Sequence, residues 1–316
     1  MDHMDISIII VNYNTRELTL QCLESIRTYL TGAVVYEVIV VDNCSSDGSQ
    51  AALKNYAAAH AWLRVLESDS NYGFAHANNK GIRIAGGRQI LLLNSDAYLI
   101  DNSLLKAIHY LDRERDVFGC GCALLDAQGR LGISFGKFPV FSTVFKEIVT
   151  NRFAHLRASA PSQKNCVYPI DLPCGAFFLI KHELLTSIGY LDETFFMYSE
   201  ETDLAYRAWK AGYRIVYYGY TTVVHVGGQS SIPSERDKDR LSIWKRQRVI
   251  FYKSWCYYLT KNGTAGEACA VRVLLTLYFT LLYVAALVTG KHSMRLNYHY
   301  ELETLHKGWK SSAVSK

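Results

Sequence analysis

Three carboxylates stand within four positions at Glu200, Glu201 and Asp203, behind the run Phe195-Phe196-Met197-Tyr198 and ahead of Leu204, Ala205, Ala208 and Trp209. The pattern predicts acids at the mouth of a pocket and in the first turn of a helix, where the helix dipole favours negative charge. Crowded like charges raise the pKa of at least one member, which makes a carboxylate basic enough to take a proton from a hydroxyl. A solvated, acid-rich helix start is the plainer alternative, but such caps seldom follow four large apolar side chains. Asp96, in Asn94-Ser95-Asp96, suits a hard divalent cation, Mg2+ or Mn2+, shared with substrate phosphates. It could also be an ordinary turn Asp, and Asn94 could serve either purpose. His225 offers a second, borderline ligand, and Gly227-Gly228 behind it would let a backbone approach a bulky anion. Asp42 and Asp47 lie in one polar loop and could hydrogen-bond a base and a ribose, although such loops also cap helices.

These residues need elements to position them. Ile6 to Val11 is an almost unbroken β-branched run, as in a parallel strand covered on both faces, and Asn12-Tyr13-Asn14 ends it. Asn14 is three residues before Glu17, a capping-box spacing, and Leu18, Cys22, Leu23, Ile26 and Leu30 give the following helix its apolar face. The unit repeats with a strand at Val38 to Val41, the loop Asp42 to Gly48, and an alanine-rich helix to about His60. A third short strand, Leu63 to Leu66, precedes Asn71-Tyr72-Gly73-Phe74-Ala75 and a helix with Asn78, Asn79 and Lys80 that stops at Gly86-Gly87. Ile90 to Leu93 is a fourth buried strand, with Asn94-Ser95-Asp96 at its carboxyl end. Alternating strands and helices imply a parallel sheet whose polar loops gather along one edge, where open α/β sheets bind ligands.

A helix is predicted over Ser103 to Arg113 and a strand over Val117 to Leu125, whose Gly119-Cys120-Gly121-Cys122 lacks the full dinucleotide fingerprint. Residues 129 to 172 are less regular, with an amphipathic stretch at Ser142 to Arg152 and a polar loop at Ser159 to Asn165, a candidate acceptor-side flap. Gly175 to Ile180 is a strand, Lys181 to Ile188 a short helix, and Arg214 to Tyr217 and Thr221 to Val226 are the last sheet-like segments. The domain expectation is 1–231 for the catalytic part and 232–316 for a C-terminal helical region.

The chain has 316 residues, 49% hydrophobic and 20% charged, with five prolines, which is globular composition with little room for long disorder. A net charge of +5 is too mild to argue for nucleic acid but suits anionic phosphates or a membrane surface. The eight cysteines have no Cys-x-x-Cys spacing and read as buried free thiols. Met1 to Asp5 is short and acidic rather than a signal region, so the catalytic part is expected in a reducing cytosol.

In order and spacing, these segments resemble family 2 glycosyltransferases, and among them the rhamnosyltransferase-like members, from about Ile6 to Ser231. The matching segments are Ile10 to Asn14, Val40 to Asn43 with Ser45 to Ser49, Asn71 to Ala75, Asn78 to Gly81, and Leu93 to Asp96. Further on come Gly175-Ala176, Gly189 to Phe196, Glu200 to Arg207, and His225 to Ser230. The resemblance implies a GT-A fold, a Rossmann-like, mixed but mostly parallel sheet flanked by helices. It also implies a nucleotide-diphosphate sugar, a divalent metal and inversion at the anomeric centre. By it, Asn12, Asp42 and Asn78 contact the nucleotide, and Asn14, Asp47, Asn71, Gly73, Asn94, Ser95, Asp203 and Arg207 belong to the nucleotide-sugar site. Asp96 is the metal-ligating end of the family's Asp-x-Asp motif, whose first Asp is Asn94 here, and His225 reaches the metal or the diphosphate. Glu201 is the expected base, with Glu200 the alternative because Glu201 replaces the usual Asp. The preferred donor is dTDP-rhamnose, and a lipid-diphosphate-linked glycan, as in polysaccharide or O-antigen assembly, is the implied acceptor.

Beyond Ser231, Trp244 to Tyr258 mixes basic and aromatic side chains as a membrane interface does, and Val273 to Thr289 is uncharged over a length at the short limit for spanning. It could span, lie in the surface, or pack as a buried or homodimer-forming helix. The expected place is the cytoplasmic face of the plasma (inner) membrane, peripheral or singly anchored. Two other readings compete: a nucleotidyltransferase, for which Asn12-Tyr13-Asn14 lacks the glycine-rich phosphate loop, and a non-catalytic nucleotide-sugar-binding scaffold.

Overall fold

β1 (Ile6–Asn12) is buried at every residue, as its β-branched sequence requires of a strand covered on both faces. The structure, a computed structural model, describes residues 4–30, 32, 34–150, 163–227 and 240–312. After β1 come α1 (Arg16–Leu30), β2 (Tyr36–Asp42), α2 (Ser49–Ala58), β3 (Leu63–Glu67), α3 (Phe74–Ile82), β4 (Gln89–Asn94), β5 (Ala97–Leu99), α4 (Leu104–Arg113), β6 (Val117–Leu125) and β7 (Phe135–Gly136). α5 (Phe141–Val149), β8 (Val167–Ile170), β9 (Leu172–Pro173), β10 (Phe177–Lys181), α6 (His182–Ile188), α7 (Glu200–Lys210) and β11 (Arg214–His225) follow. α8 (Arg240–Asn262), α9 (Ala265–Val288) and α10 (His292–Ser312) end the described chain.

The described residues form two compact units. One contains residues up to 137, 163–194 and 200–227; the other contains 138–150, 195–199 and 240–312. In the first, the sheet runs β3-β2-β1-β4-β10-β6-β11-β5, with β8 also paired to β11. β1 is parallel to β2 and β4, and β2 to β3. β10 is antiparallel to both its neighbours, so the sheet is mixed. The register sets Asn12 opposite Asp42 and Val11 opposite Asn94, which gathers the carboxyl ends of β2, β1 and β4 on one edge. Against this sheet, α1 buries Cys22, Leu23, Ile26 and Leu30, the apolar face its spacing predicts, but with Thr19 in place of Leu18.

Several expectations are corrected. Asn14 does not cap α1: it adopts a left-handed φ of 54° and its Oδ1 accepts from the Ser46 amide at 2.7 Å, while the Arg16 amide donates to Asp47 Oδ2 at 2.9 Å. The helix is capped from the neighbouring loop, which no local spacing reveals. The two segments at 214–217 and 221–226 are one bulged strand, β11. Among the described residues, the stretch 129 to 173 contains three short strands, two of them paired as β7-β9. Among the cysteines, Cys44 and Cys269 are exposed and Cys166 and Cys174 half-buried, though all are free. The amphipathic helix ends at Val149, so Arg152 lies outside the described residues, as do Ser159 to 162 of the flap and Gly228 to Ser231.

In the second unit, α8 and α10 are tied by Glu301 Oε2. It accepts from Arg248 Nη2 at 2.6 Å and Tyr252 OH at 2.7 Å. Burial, first of all, pushes the Tyr252 phenol well above its ordinary value. Trp255 Nε1 donates to Pro139 O at 3.0 Å, which fixes the chain leading into α5.

Candidate active site

The β1 and β2 ends carry a closed hydrogen-bond cluster. Asn12 Nδ2 donates to Asp42 Oδ1 at 2.6 Å and Ser45 Oγ at 3.0 Å, and Asn12 Oδ1 accepts from Thr15 Oγ1 at 2.9 Å and Thr19 Oγ1 at 2.6 Å. All four bonds that an amide side chain can make are therefore made. Asp42 Oδ2 accepts from the Ser45 amide at 3.0 Å and Gln50 Nε2 at 3.1 Å, and both Asn12 and Asp42 are wholly buried. The structure thus places these two beneath the edge, where they hold the 43–48 loop. Asp47 lies in that loop, with Oδ1 accepting from the Ser49 amide and hydroxyl. Burial alone would raise its pKa, but the Ser49 and Arg16 donors bring it below the ordinary carboxylate value.

The next loop is tied to this one by Asn43. Its Nδ2 donates to Asn71 Oδ1 at 2.8 Å and its Oδ1 accepts from the Tyr72 amide at 3.3 Å. Gly73 begins α3 with φ 92° and ψ 173°, a conformation open essentially to glycine alone. Asn78 is buried, and its Nδ2 donates to Phe74 O at 3.0 Å within the helix. Asn79 Nδ2 donates to Leu191 O at 2.8 Å and Glu193 Oε1 at 2.9 Å, which pins the 191–193 segment to α3.

The end of β4 is different. Ser95 is buried against Thr15 Oγ1 at 3.0 Å, which ties it to the Asn12 cluster. Asp96, 3% exposed, has Oδ1 3.3 Å from His225 Nε2, and the Asn94 amide lies 3.4 Å from the same ring nitrogen. The Val226 amide donates to Asp96 O at 3.0 Å, which holds the β11 end beside the β4 end. One imidazole nitrogen cannot donate to a carboxylate and accept from an amide at once, so turning the Asn94 amide to present its oxygen is the consistent arrangement. When that ring nitrogen carries no proton, a carboxylate oxygen, an imidazole nitrogen and an amide oxygen lie close together. That donor set fits a divalent cation whose remaining positions are filled by substrate oxygens. Among the described residues no group of three His, Cys, Asp or Glu could hold a metal without such help.

The carboxylate stretch is near. The backbone N–H of Asn94 donates to Ala176 O at 3.1 Å, and a Cβ at Gly175 would lie 3.8 Å from Glu201 Oε1. Glu200 is 4% exposed and Asp203 fully buried, whereas Glu201 is half-buried and reaches the surface. Asp203 Oδ2 accepts from Arg207 Nε at 2.8 Å, and the guanidinium also donates to Ile188 O, Gly189 O and Tyr190 O. Asp203 and Arg207 therefore clamp α7 to the 188–190 turn. Immediately before Glu200, Tyr198 and Ser199 both adopt left-handed backbone, with φ of 71° and 68°. Two consecutive non-glycine residues there store strain, a feature of functional segments that no sequence pattern announces.

Residues that the sequence reading left out of the site are Thr15, Thr19, Asn43, Gln50 and Gly175. Asn43 and Gly175 stand inside the quoted motifs; the two threonines become meaningful only when the strand end meets the helix.

The sheet order and this edge define a GT-A fold, and solved structures share it. The mannosyltransferase PcManGT from Pyrobaculum calidifontis, in complex with GDP-Man and Mn2+, superposes with a TM-score of 0.60 at 18% identity, covering 98% of this chain and 87% of that one. GalNAc-T7 with UDP, GalNAc and Mn2+ gives a TM-score of 0.60 at 14% identity, covering 81% and 48%. The glycosyl transferase family 2 model matches residues 7–198, more than half the chain, and the chain belongs to that family. Among its relatives, the low-salt glycan biosynthesis hexosyltransferase Agl10 of Haloferax volcanii is 28% identical over 65% of this chain and 61% of its own length. The rhamnosyltransferase WbbL of Escherichia coli is 30% identical over 60% of this chain and 72% of its own. The chain thus spans less than two thirds of the Agl10 relative.

Proposed function

We propose that the protein is an inverting glycosyltransferase. It moves L-rhamnose from a nucleotide-diphosphate donor, dTDP-rhamnose, to a hydroxyl of a lipid-diphosphate-linked glycan in cell-surface polysaccharide or O-antigen assembly, at the cytoplasmic face of the plasma membrane. The observation that carries the reading is the convergence at one sheet edge of the Asp96–His225 contact and, across Gly175-Ala176, the half-exposed Glu201. Family membership supports sugar transfer, and the rhamnosyltransferase relative supports the donor.

In this reading Glu201 takes the proton from the acceptor hydroxyl, and that oxygen attacks the anomeric carbon from the face opposite the diphosphate. The bond from that carbon to the diphosphate oxygen breaks as the new one forms, so a single displacement inverts the centre. Glu201 fits the base better than Glu200 because it is the more exposed of the two. Asp96, His225 and Asn94 would hold a Mg2+ or Mn2+ ion, which would supply positive charge against the diphosphate. Asn12, Asp42, Asp47, Asn71 and Gly73 act by holding the loops against which the nucleotide lies.

The test is donor turnover across a panel of nucleotide sugars with and without Mn2+, with the product's anomeric configuration read by NMR. Metal-dependent transfer from one donor with inversion is expected. Retention would overturn the single displacement, and folded protein that binds donors without turning any over would return the weight to the scaffold reading.

A further inference from the structure

α9 is the one described helix long and apolar enough to cross a membrane, but its packing argues for another placement. One face, with Ala268, Val271, Leu275 and Phe279, is buried. The opposite face exposes Val273, Leu277, Leu281, Val284 and Val288 at helical spacing, Leu281 by 70%. α10 returns antiparallel along α9: Arg272 Nη2 lies 3.3 Å from His306 Nδ1, and the Tyr283 and His299 rings are 6.3 Å apart. If α9 spanned, α10 would lie at the same depth and carry Arg295, Glu301, Glu303 and Lys307 into hydrocarbon, where each charge is costly. A helix seated on a charged neighbour along one face and apolar along the other suits the plane of the interface.

Charge identifies what covers that face. Residues 240–312 hold eleven Lys and Arg against three Glu, a net +8, while the rest of the chain carries −3. Two of those glutamates, Glu301 and Glu303, are already paired with Arg248 and with Lys245 and Lys307. Arg272 and Lys291 bracket the exposed stripe, and α5, which meets α9 where the Phe141 amide donates to Glu267 Oε1 at 3.0 Å, adds the exposed Phe145 and Val149 at i, i+4 spacing. Two copies meeting through so cationic a unit would repel, whereas anionic headgroups complement it. We propose that the exposed faces of α9 and α5 lie in the plane of an anionic lipid surface, with α9 lying on the membrane rather than crossing it. This deepens the membrane part of the function proposed above and does not depend on the transfer reaction.

Flotation of the full chain with vesicles, in the absence of any donor, tests it. The protein is expected to float with mixed phosphatidylglycerol and phosphatidylcholine vesicles, to bind pure phosphatidylcholine far less, and to be released by alkaline carbonate. The exposed-face variant Leu277→Asp with Leu281→Asp should lose about tenfold or more of the bound fraction with its melting temperature unchanged. Undiminished binding by that folded variant would overturn the proposed face. Retention through carbonate would overturn the in-plane placement. A dimer that the variant converts to monomer, with lipid binding intact, would make the occupant a second copy. Failure of the unaltered protein to float with any vesicle would remove this proposal and the membrane part of the function while leaving glycosyl transfer standing.

Discussion

The two halves of the sheet edge are built on opposite principles. At the ends of β1 and β2, Asn12 makes every hydrogen bond open to it and Asp42 is sealed beneath the loop. At the ends of β4 and β11, Asn94, Asp96 and His225 meet at 3.3 and 3.4 Å, longer than good hydrogen bonds, around a single ring nitrogen. The first half is a closed network that holds the 43–48 loop; the second is a looser meeting of three side chains. The difference teaches that the polar residues of one motif set divide by how tightly partners inside the protein hold them.

That division can be broken by substitution. The largest effect is expected at the open half: Glu201→Gln should lower transfer by about 10²–10⁴-fold, the usual contribution of a general base, with donor affinity unchanged. Single-turnover rates beside donor titration would check this, and Glu200→Gln should cost less; the reverse order would move the base to Glu200. In the closed half, Asn12→Ala removes the buried donor to Asp42 Oδ1 and the oxygen that the Thr15 and Thr19 hydroxyls share, although Asp42 Oδ2 keeps its Ser45 and Gln50 donors. A loss of about 2–4 kcal/mol in unfolding free energy is expected by denaturant titration, with the response to Mn2+ retained. If that variant instead keeps its stability and loses only donor affinity, Asn12 touches the nucleotide and the division fails.

Asp96→Asn should act the other way, with little change in melting temperature in the absence of metal and loss of the stabilisation that Mn2+ gives to the donor complex, about tenfold or more in donor affinity. A variant that keeps the full Mn2+ response would exclude Asp96 as a ligand. Ser199→Gly tests the strain before Glu200. Glycine removes a left-handed penalty of about 1–2 kcal/mol and adds unfolded-state entropy of about 0.5–1 kcal/mol, so thermal unfolding should show a small net gain in stability. A clear destabilisation would show that the Ser199 side chain contributes more than its backbone costs.

The sheet was legible because its strands are continuous apolar runs with polar ends, and a parallel arrangement aligns those ends without further information. The motifs single out Asp96, His225 and Glu201 for a related reason, since each stands at or beside the end of an element: just past β4, at the last residue of β11 and in the first turn of α7. What could not be read was the partner of each polar side chain. Asn14 and Glu17 have capping-box spacing, yet the Arg16 amide is satisfied by Asp47, 31 residues on, because parallel pairing of β1 and β2 brings the two loops together. The strained Tyr198-Ser199 pair carries residue types with no left-handed preference, so only the backbone reveals it. α10 is held to α8 by the buried Leu305 and Trp309, the latter against Tyr252 and Trp255, together with ion pairs across a largely polar helix, which is why an uncharged stretch alone left the role of α9 open.

The smallest expected effect concerns the closed half under acid. Donors from Ser49 and Arg16 outweigh the burial of Asp47 and hold its pKa below the ordinary carboxylate value in the folded state. A depressed folded pKa contributes stability that is fully present above the unfolded value and is lost as pH falls through the folded one. The loop contribution should therefore be constant from neutral pH down to about 4 and decline below it. Asp47→Asn cannot titrate, so its stability relative to the unaltered protein should be lower by a constant amount at neutral pH and converge with it as the solution is acidified. Parallel curves over that acid range would mean that the cap to Arg16 holds no charge-dependent energy. Convergence would show that the first half of the edge draws part of its rigidity from the ionised Asp47 carboxylate.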